Sequence, residues 1–387
     1  MLEQQQIEPV LLLGPGPSSV SPRVLQSMTH ALLGYLDGDF RKVLSEECEL
    51  LRRSYGTKNP VTFALSGTGM AGMECALSNL LEPGERLLVG VNGFFGERMC
   101  EVAQRHGIEV HRVDAEWGKP VDPEELEKAA KAANPKVVAV VHAETSTGCL
   151  QPLEPYARVA KQVGALFLAD CVTSIGGVPV GLDAHGVDAA YAGSQKCLGA
   201  PPGLSPVSFS PRAMDAMAAR KRPCTSWYTD VRLLERYYFG EPAAYHHTPS
   251  NSMHYALVTA LNLLHQSEGQ DAVFARHMAN HRSLVAGLEA LGLRMLVAEG
   301  YRTPMLNSFP VPDGVDEAKI RARLRQRDRI EIGAGLGKLK GRILRIGLMG
   351  HSSRRAHVAS VLTALAAALR EQGYRCSTEE ALQAAGF

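Results

Sequence analysis

VVAVVHAETSTGCLQPLEPYARVAKQVGALFLAD, residues 137–170, is the stretch whose reading decides the fold. It opens on a continuous β-branched run, Val137–His142, and closes on a second apolar run, Ala165–Ala169. Between them Leu153–Val163 carries apolar residues at helical spacing, with a glycine close behind its last turn. Runs this uniformly apolar have no polar face to turn to water, so both faces of the strands are buried. A strand, a helix and a second strand in that order imply parallel neighbours. The same alternation extends outward in both directions. Val61–Leu65, Arg86–Val91 and Glu109–Val113 lie upstream, Ala189–Ala192 and Val207–Ser210 downstream. Asp122–Ala133 is a further helix, opened by Asp-Pro with glutamates in its first turn. Seven strands alternating with helices predict an α/β fold: a mostly parallel seven-stranded sheet flanked by helices.

From about Glu268 the texture changes. A helical stretch, Asp271–Leu291, leads through Arg294–Ala298 and Thr303–Pro312 to a basic helix, Asp316–Asp328. Glycines 333, 335 and 337 precede a strand-like Arg342–Gly347, and Ala356–Arg370 reads as the last amphipathic helix. This predicts an N-terminal arm over residues 1–20, a large domain over 21–267 and a small C-terminal α+β domain over 268–387.

The 387 residues carry 41 Lys+Arg against 40 Asp+Glu, a formal charge of +1. Nucleic-acid binding normally demands a basic surplus, so it is disfavoured. The densest basic run, Lys319–Arg329, reads as a solvated helix face. No apolar stretch approaches the ~18–20 residues of a membrane span, and the first residues lack the pattern of a secretory signal. Eight scattered cysteines without a C-x-x-C pair suggest free thiols in a reducing cytoplasm rather than a disulfide framework or zinc site. His246-His247 lacks the spacing of metal ligands, so no metal is expected.

Ligands of open parallel sheets bind beyond the carboxyl ends of the strands, so the residues following each strand matter most. Ser66-Gly-Thr-Gly follows the first, Asn92-Gly-Phe-Phe-Gly the second, and Glu144-Thr-Ser-Thr-Gly the run at 137–142. Asp170 closes the next strand, and Gly193-Ser-Gln-Lys196 follows Ala189–Ala192. A phosphate cradle, an aromatic plate, hydroxyls, a carboxylate and a lysine thus emerge at one rim. Gly67 to Gly72 spells G-x-G-x-x-G, yet the next strand ends at Val91-Asn92 without the ribose-binding carboxylate of a nicotinamide site. What survives is an anion site at a helix start. A lysine on the rim suits Schiff-base chemistry, because desolvation and nearby cations lower its pKa. Asp170 reads either as the cap of the next helix or as a buried carboxylate in need of a cationic partner, which a pyridinium nitrogen supplies.

These residues resemble the class V, fold type I, pyridoxal-phosphate aminotransferases, in the branch acting on alanine or serine with glyoxylate or pyruvate. The matching segments are Gly14-Pro-Gly-Pro-Ser, Ser66-Gly-Thr-Gly, Val91-Asn-Gly-Phe-Phe-Gly-Glu-Arg, His142-Ala-Glu-Thr-Ser-Thr-Gly and Ala169-Asp-Cys-Val. Gly193-Ser-Gln-Lys, Ala200-Pro-Pro-Gly, Tyr245-His-His-Thr and Arg345-Ile-Gly-Leu-Met-Gly continue them in family order. The resemblance implies pyridoxal 5′-phosphate as cofactor and a ping-pong transamination. It makes Lys196 the Schiff-base lysine and proton shuttle, and Asp170 the partner of the pyridine nitrogen. Val172 and Phe95 would cover the two ring faces, and Thr145 would bond the phenolic oxygen. Thr68, Gly69, Met70 and Gln195 would surround the phosphate. Tyr245 and Thr248 would reach the phosphate of a neighbouring subunit, which implies a homodimer with shared sites. Arg345 would clamp the substrate carboxylate, with Gly16 and Tyr35 at the substrate mouth. Phe95 and Met70 stand where animal relatives carry Trp and His, and Tyr35 where relatives often carry His. These departures bear on substrate identity rather than cofactor use. Donors such as aminoethylphosphonate or ureidoglycine, and a non-catalytic binding protein on the same fold, are the alternatives. A cysteine desulfurase is disfavoured, because Cys376 is the small domain's one cysteine and follows its expected last helix.

Overall fold

The structure, a computed structural model, describes residues 8–387; residues 1–7, the tip of the expected arm and the start of the chain, lie outside the described residues. Seven strands form the large sheet: β1 (Val61–Ser66), β2 (Arg86–Val91), β3 (Glu109–Asp114), β4 (Val137–Val141), β5 (Leu166–Asp170), β6 (Ala189–Tyr191) and β7 (Leu204–Phe209). Their spatial order is β1-β7-β6-β5-β4-β2-β3. The pairs β2–β3, β2–β4, β4–β5 and β5–β6 are parallel, and β7 runs antiparallel to both β6 and β1. Six strands therefore point the same way, and their carboxyl ends make one rim.

Alternation along the strands divides the core. Phe63, Leu65, Val89, Val91, Ala139 and Leu168 face one hydrophobic cluster, while Ala64, Leu88, Val138, Val140 and Phe167 face another on the opposite side. In β4 all five residues are buried, each valine contributing roughly 1.5–3 kcal/mol of burial. That explains why the run at 137–141 shows no polar face.

Helices cover both sides: α1 (Gly38–Tyr55), α2 (Gly69–Leu80), α3 (Phe94–Arg105), α4 (Pro123–Ala133), α5 (Leu153–Gln162) and α6 (Asn251–Asn262). Helix α4 starts as its sequence predicts: the Asp122 carboxylate accepts from the Glu124 amide at 2.9 Å, with Pro123 in the first turn. Helices α1 and α6 carry no signal in the strand–helix alternation. They pack on one another through Glu47 and His254, both fully buried, with 2.9 Å between Oε2 and Nδ1. Strand β7 is longer than Val207–Ser210 suggests. Pro206 lies inside it and argues against an interior strand. Its carbonyl nonetheless accepts from both the Ala192 amide and the Tyr55 hydroxyl.

Beyond a π-helical turn at Leu263–Glu268 come α7 (Gln270–Ala290), α8 (Glu317–Arg323), α9 (Arg355–Glu371) and α10 (Thr378–Ala384). Strands β8 (Leu306–Pro310), β9 (Gly333–Ala334) and β10 (Ile343–Gly347) form an antiparallel sheet with β10 central. A third cluster, including Leu284, Leu288, Phe309, Ile346 and Leu362, unites these elements. Helix α9 is not the last, in correction of the sequence expectation. Helix α10 follows, capped by Ser377, which accepts from the Glu380 amide, and anchored by a bond from Ser283 to the Ala385 carbonyl. At seven residues it shows too few turns for periodicity to reveal. The basic helix is laced to acids, Arg321 to Glu317 and both Arg323 and Arg327 to Glu371.

The N-terminal segment joins both halves. Leu11–Leu12 pairs in parallel with Ile330–Glu331, and Ser18 bonds the carbonyls of Gln195 and Lys196. All eight cysteines are unpaired. Among the described residues no helix is long and apolar enough to cross a membrane.

Candidate active site

A cleft of about 520 Å³ opens at the rim where the six co-directional strands end. Thr68, Phe95, Thr145, Asp170, Gln195 and Lys196 line it, and so do Gly69, Met70 and Val172. Nine residues expected from sequence to surround the cofactor therefore share one cavity.

Asp170, the last residue of β5, is buried. Its carboxylate accepts from the Val172 amide at 2.9 Å and from the Tyr191 hydroxyl at 2.8 Å. Both partners are neutral. Burial pushes the carboxyl up to about 7 against these two hydrogen bonds. The cation that a buried Asp demands is thus absent from its hydrogen-bond partners. Tyr191 was not singled out from sequence. The signal was present: one hydroxyl-bearing aromatic in an otherwise small-residue strand, two residues before Gly193.

Lys196 sits on the loop after β6, only 8% exposed. Burial lowers its ammonium to about 8, and Arg345 adds to the effect. Nζ touches the Pro15 carbonyl of the N-terminal segment. Gly16, at φ +116°, makes this approach possible, since a Cβ there would lie 2.5 Å from Nζ.

The opposite end of the cleft is built for an anion. Helix α2 begins directly after β1, and the Thr68 side chain at its start makes no capping bond. Gly69 packs on the side chain of Val172, where a Cβ would come within 2.8 Å of Cγ2. The Gln195 side chain carries a buried amide oxygen without a partner.

Phe95 lies in the first turn of α3, its amide donating to Glu144 Oε2 at 3.0 Å. Arg345, from the central strand β10, is buried beside the cleft. Nε donates to the Ala334 carbonyl and Nη1 to the Thr145 carbonyl, each at 2.7 Å, and burial lowers the guanidinium to about 10.

Three expected residues are not at this cleft. Tyr245 is 59% and Tyr35 37% exposed, their rings 4.7 Å apart on the surface, and Thr248 is exposed as well. His246 and His247 bond each other through Nδ1 at 2.9 Å, with Trp227 stacked on His246. That geometry spends the pair on structure.

The family model of the class V aminotransferases matches residues 10–355, nearly the whole chain. The chain belongs to the class V aminotransferases. An alanine–glyoxylate aminotransferase from Nostoc sp. superposes with a TM-score of 0.93 at 44% identity, covering 96% of this chain and 98% of that one. A ureidoglycine–glyoxylate aminotransferase from Bacillus subtilis superposes with a TM-score of 0.95 at 37% identity, covering 99% and 98%. The alanine–glyoxylate aminotransferase of Drosophila melanogaster is 37% identical over 95% of this chain and 94% of its own. This class V aminotransferase is a transferase dependent on pyridoxal 5′-phosphate. The cleft fits that group: a carboxylate short of a cation, a buried lysine of lowered pKa and a helix start without a side-chain cap.

Proposed function

We propose that the enzyme moves the amino group of a small amino acid, alanine or serine, to a small 2-oxo acid, glyoxylate or pyruvate, in two half-reactions at one site. The observation that carries this reading is the meeting of Lys196 and Asp170 in one cleft, with Arg345 buried beside it and bonded to the carbonyl of Thr145 in its lining. Arg345 supplies a planar fork for one carboxylate.

Bound pyridoxal phosphate supplies an aldehyde that condenses with amines and a ring that accepts the electron pair released at the substrate Cα. Lys196 would hold the aldehyde end, Asp170 would face the ring nitrogen, and Thr145 would meet the phenolic oxygen. Val172 and Phe95 would cover the ring faces, with Thr68, Gly69, Met70 and Gln195 around the phosphate. The carboxylate of Asp170 keeps the proton opposite it in place, and Tyr191 aims that carboxylate. Lys196, its pKa near 8, is neutral often enough at neutral pH to accept the Cα proton and return it. Gly16 keeps the space in which Nζ swings. Arg345 holds the substrate so that its Cα proton faces Lys196.

The exposed Tyr245 and Thr248 support a homodimer in which each subunit completes the other's phosphate site. Tyr35, its ring tilted at 47° against Tyr245, joins that interface and the neighbouring substrate mouth. We divide the chain into an arm over 1–20, a large domain over 21–267 and a small domain over 268–387. The unpaired cysteines support the cytoplasm as its compartment.

A panel of amino donors against glyoxylate, pyruvate and 2-oxoglutarate, followed through the cofactor's visible spectrum, tests the reading. Alanine or serine with glyoxylate or pyruvate should turn over fastest. A preference for 2-oxoglutarate overturns it. One second reading has specific support: a ureidoglycine–glyoxylate transaminase of Bacillus subtilis is 37% identical over 97% of this chain. Ureidoglycine as the fastest donor in the same panel selects that alternative.

A further inference from the structure

Glu144 is a fully buried carboxylate to which the reading above gives no role. It ends the two-residue strand Ala143–Glu144, which a tight turn joins to its partner Cys149–Leu150. Its Oε2 accepts from the Phe95 amide at 3.0 Å, and Oε1 accepts from the Ser146 amide at 2.9 Å. Two residues on, Ser146 Oγ accepts from the Phe94 amide at 2.9 Å. Phe94 and Phe95 open α3, whose own N-cap, Gly93, has no side chain to spend. The first turn of a helix leaves amide groups without intrahelical partners and a positive end. Here both partners come from another loop. The arrangement requires Gly93, because a Cβ there would run into the Glu144 side chain and lie 2.5 Å from Ser146 Oγ.

The residue between the two caps serves the other side of the cleft. The Thr145 carbonyl accepts from Arg345 Nη1 at 2.7 Å, and its side chain lines the cavity. Further along the same turn, the Thr147 carbonyl accepts from Ser308, and the Gly148 carbonyl accepts from the Thr303 amide at 2.9 Å. One turn thus ties the aromatic plate to the guanidinium.

We infer that Glu144, with Ser146, is a positioning residue that caps α3 from outside and fixes the height of Phe95 over the cofactor ring, in register with Arg345. The inference rests on the proposed placement of the ring against Phe95. Burial raises the Glu144 carboxyl, and the Ser146, Phe95 and Gly96 amides oppose that rise. The capping amides favour the ionised form, while burial outweighs them and holds the carboxyl above its usual range.

A double-mutant cycle tests this, with pyridoxal phosphate titrated into apoprotein and read by the visible circular dichroism of the bound cofactor. Glu144→Gln keeps the size but leaves one acceptor oxygen for two amides. It should weaken cofactor binding about tenfold, as one orphaned buried N–H does, and shrink the dichroic band. Phe95→Leu should do the same, and the double variant should be no weaker than Phe95→Leu alone. Effects that multiply to about a hundredfold in the double variant overturn the inference. So does an unchanged Glu144→Gln. Should Glu144→Gln fail to fold, Ser146→Ala takes its place in the cycle with the same criterion. Wild-type apoprotein that takes up no cofactor overturns the proposed function itself, and is read separately in the same titration.

Discussion

Asp170 holds its charge where the fold penalises it. An acid whose folded-state pKa is raised binds its proton more tightly folded than unfolded. The penalty is therefore absent below the unfolded value near 4 and complete above about 7. In cofactor-free protein Asp170→Asn should accordingly raise stability at pH 8, by on the order of 2–4 kcal/mol, and change it little at pH 4. Urea unfolding at the two pH values checks this; a stabilisation equal at both would contradict it. Bound cofactor should reverse the sign, because it brings the missing cation. Lys196 follows the opposite rule. Its amine is the nucleophile, and burial sets its pKa near 8. Stopped-flow capture of pyridoxal phosphate by apoprotein should climb about tenfold per pH unit below that value and flatten above it. A climb that continues without flattening to about pH 10 would place the amine in an ordinary solvated setting. Lys196→Ala should give no visible lysine-linked band at any pH.

At the scale of elements, α2 does two jobs: it offers its start to an anion and packs its body on the sheet. Gly72 fits against β7 so closely that a Cβ would collide with Ser205 Oγ and come within 3.0 Å of Tyr191 Cβ. Gly72→Ala should therefore lift α2, lower stability by about 1–3 kcal/mol in thermal unfolding, and weaken phosphate capture. An alanine tolerated with unchanged melting would mean that the helix slides freely. The strands of the sheet were legible in sequence because burial on both faces removes every polar residue from a run such as 137–141. Strand β7 continues N-terminal of Val207 through Pro206, a residue that normally marks an edge strand. Helix α1 hid behind its charges, one of which, Glu47, is buried against His254. Residues of the site that follow strands directly, Thr68, Thr145, Asp170 and Lys196, could be read from position alone. Tyr191 and Glu144 act through neighbours brought close only by folding, Asp170 in one case and the start of α3 in the other. Nothing in linear spacing marks Glu144, and Tyr191 is marked only as the one hydroxyl-bearing aromatic of a small-residue strand.

The whole molecule tests the dimer. Lys196→Ala subunits and Tyr245→Ala/Thr248→Ala subunits should each be impaired alone. Random pairing of equal amounts, after dissociation and reassociation, leaves one site in each mixed dimer with both a lysine and intact partner residues. About one quarter of all sites should then regain activity. Recovery no greater than the sum of the parents would mean that each subunit works alone. Within one subunit the same long-range logic applies to the segment over Lys196. The Gly347 amide bonds the Leu13 carbonyl, and Leu11–Leu12 pairs with Ile330–Glu331. Residues 11–13 therefore cannot take up their places until the strands at 330–347 have been made, and the lysine pocket stays unroofed in any nascent polypeptide shorter than that.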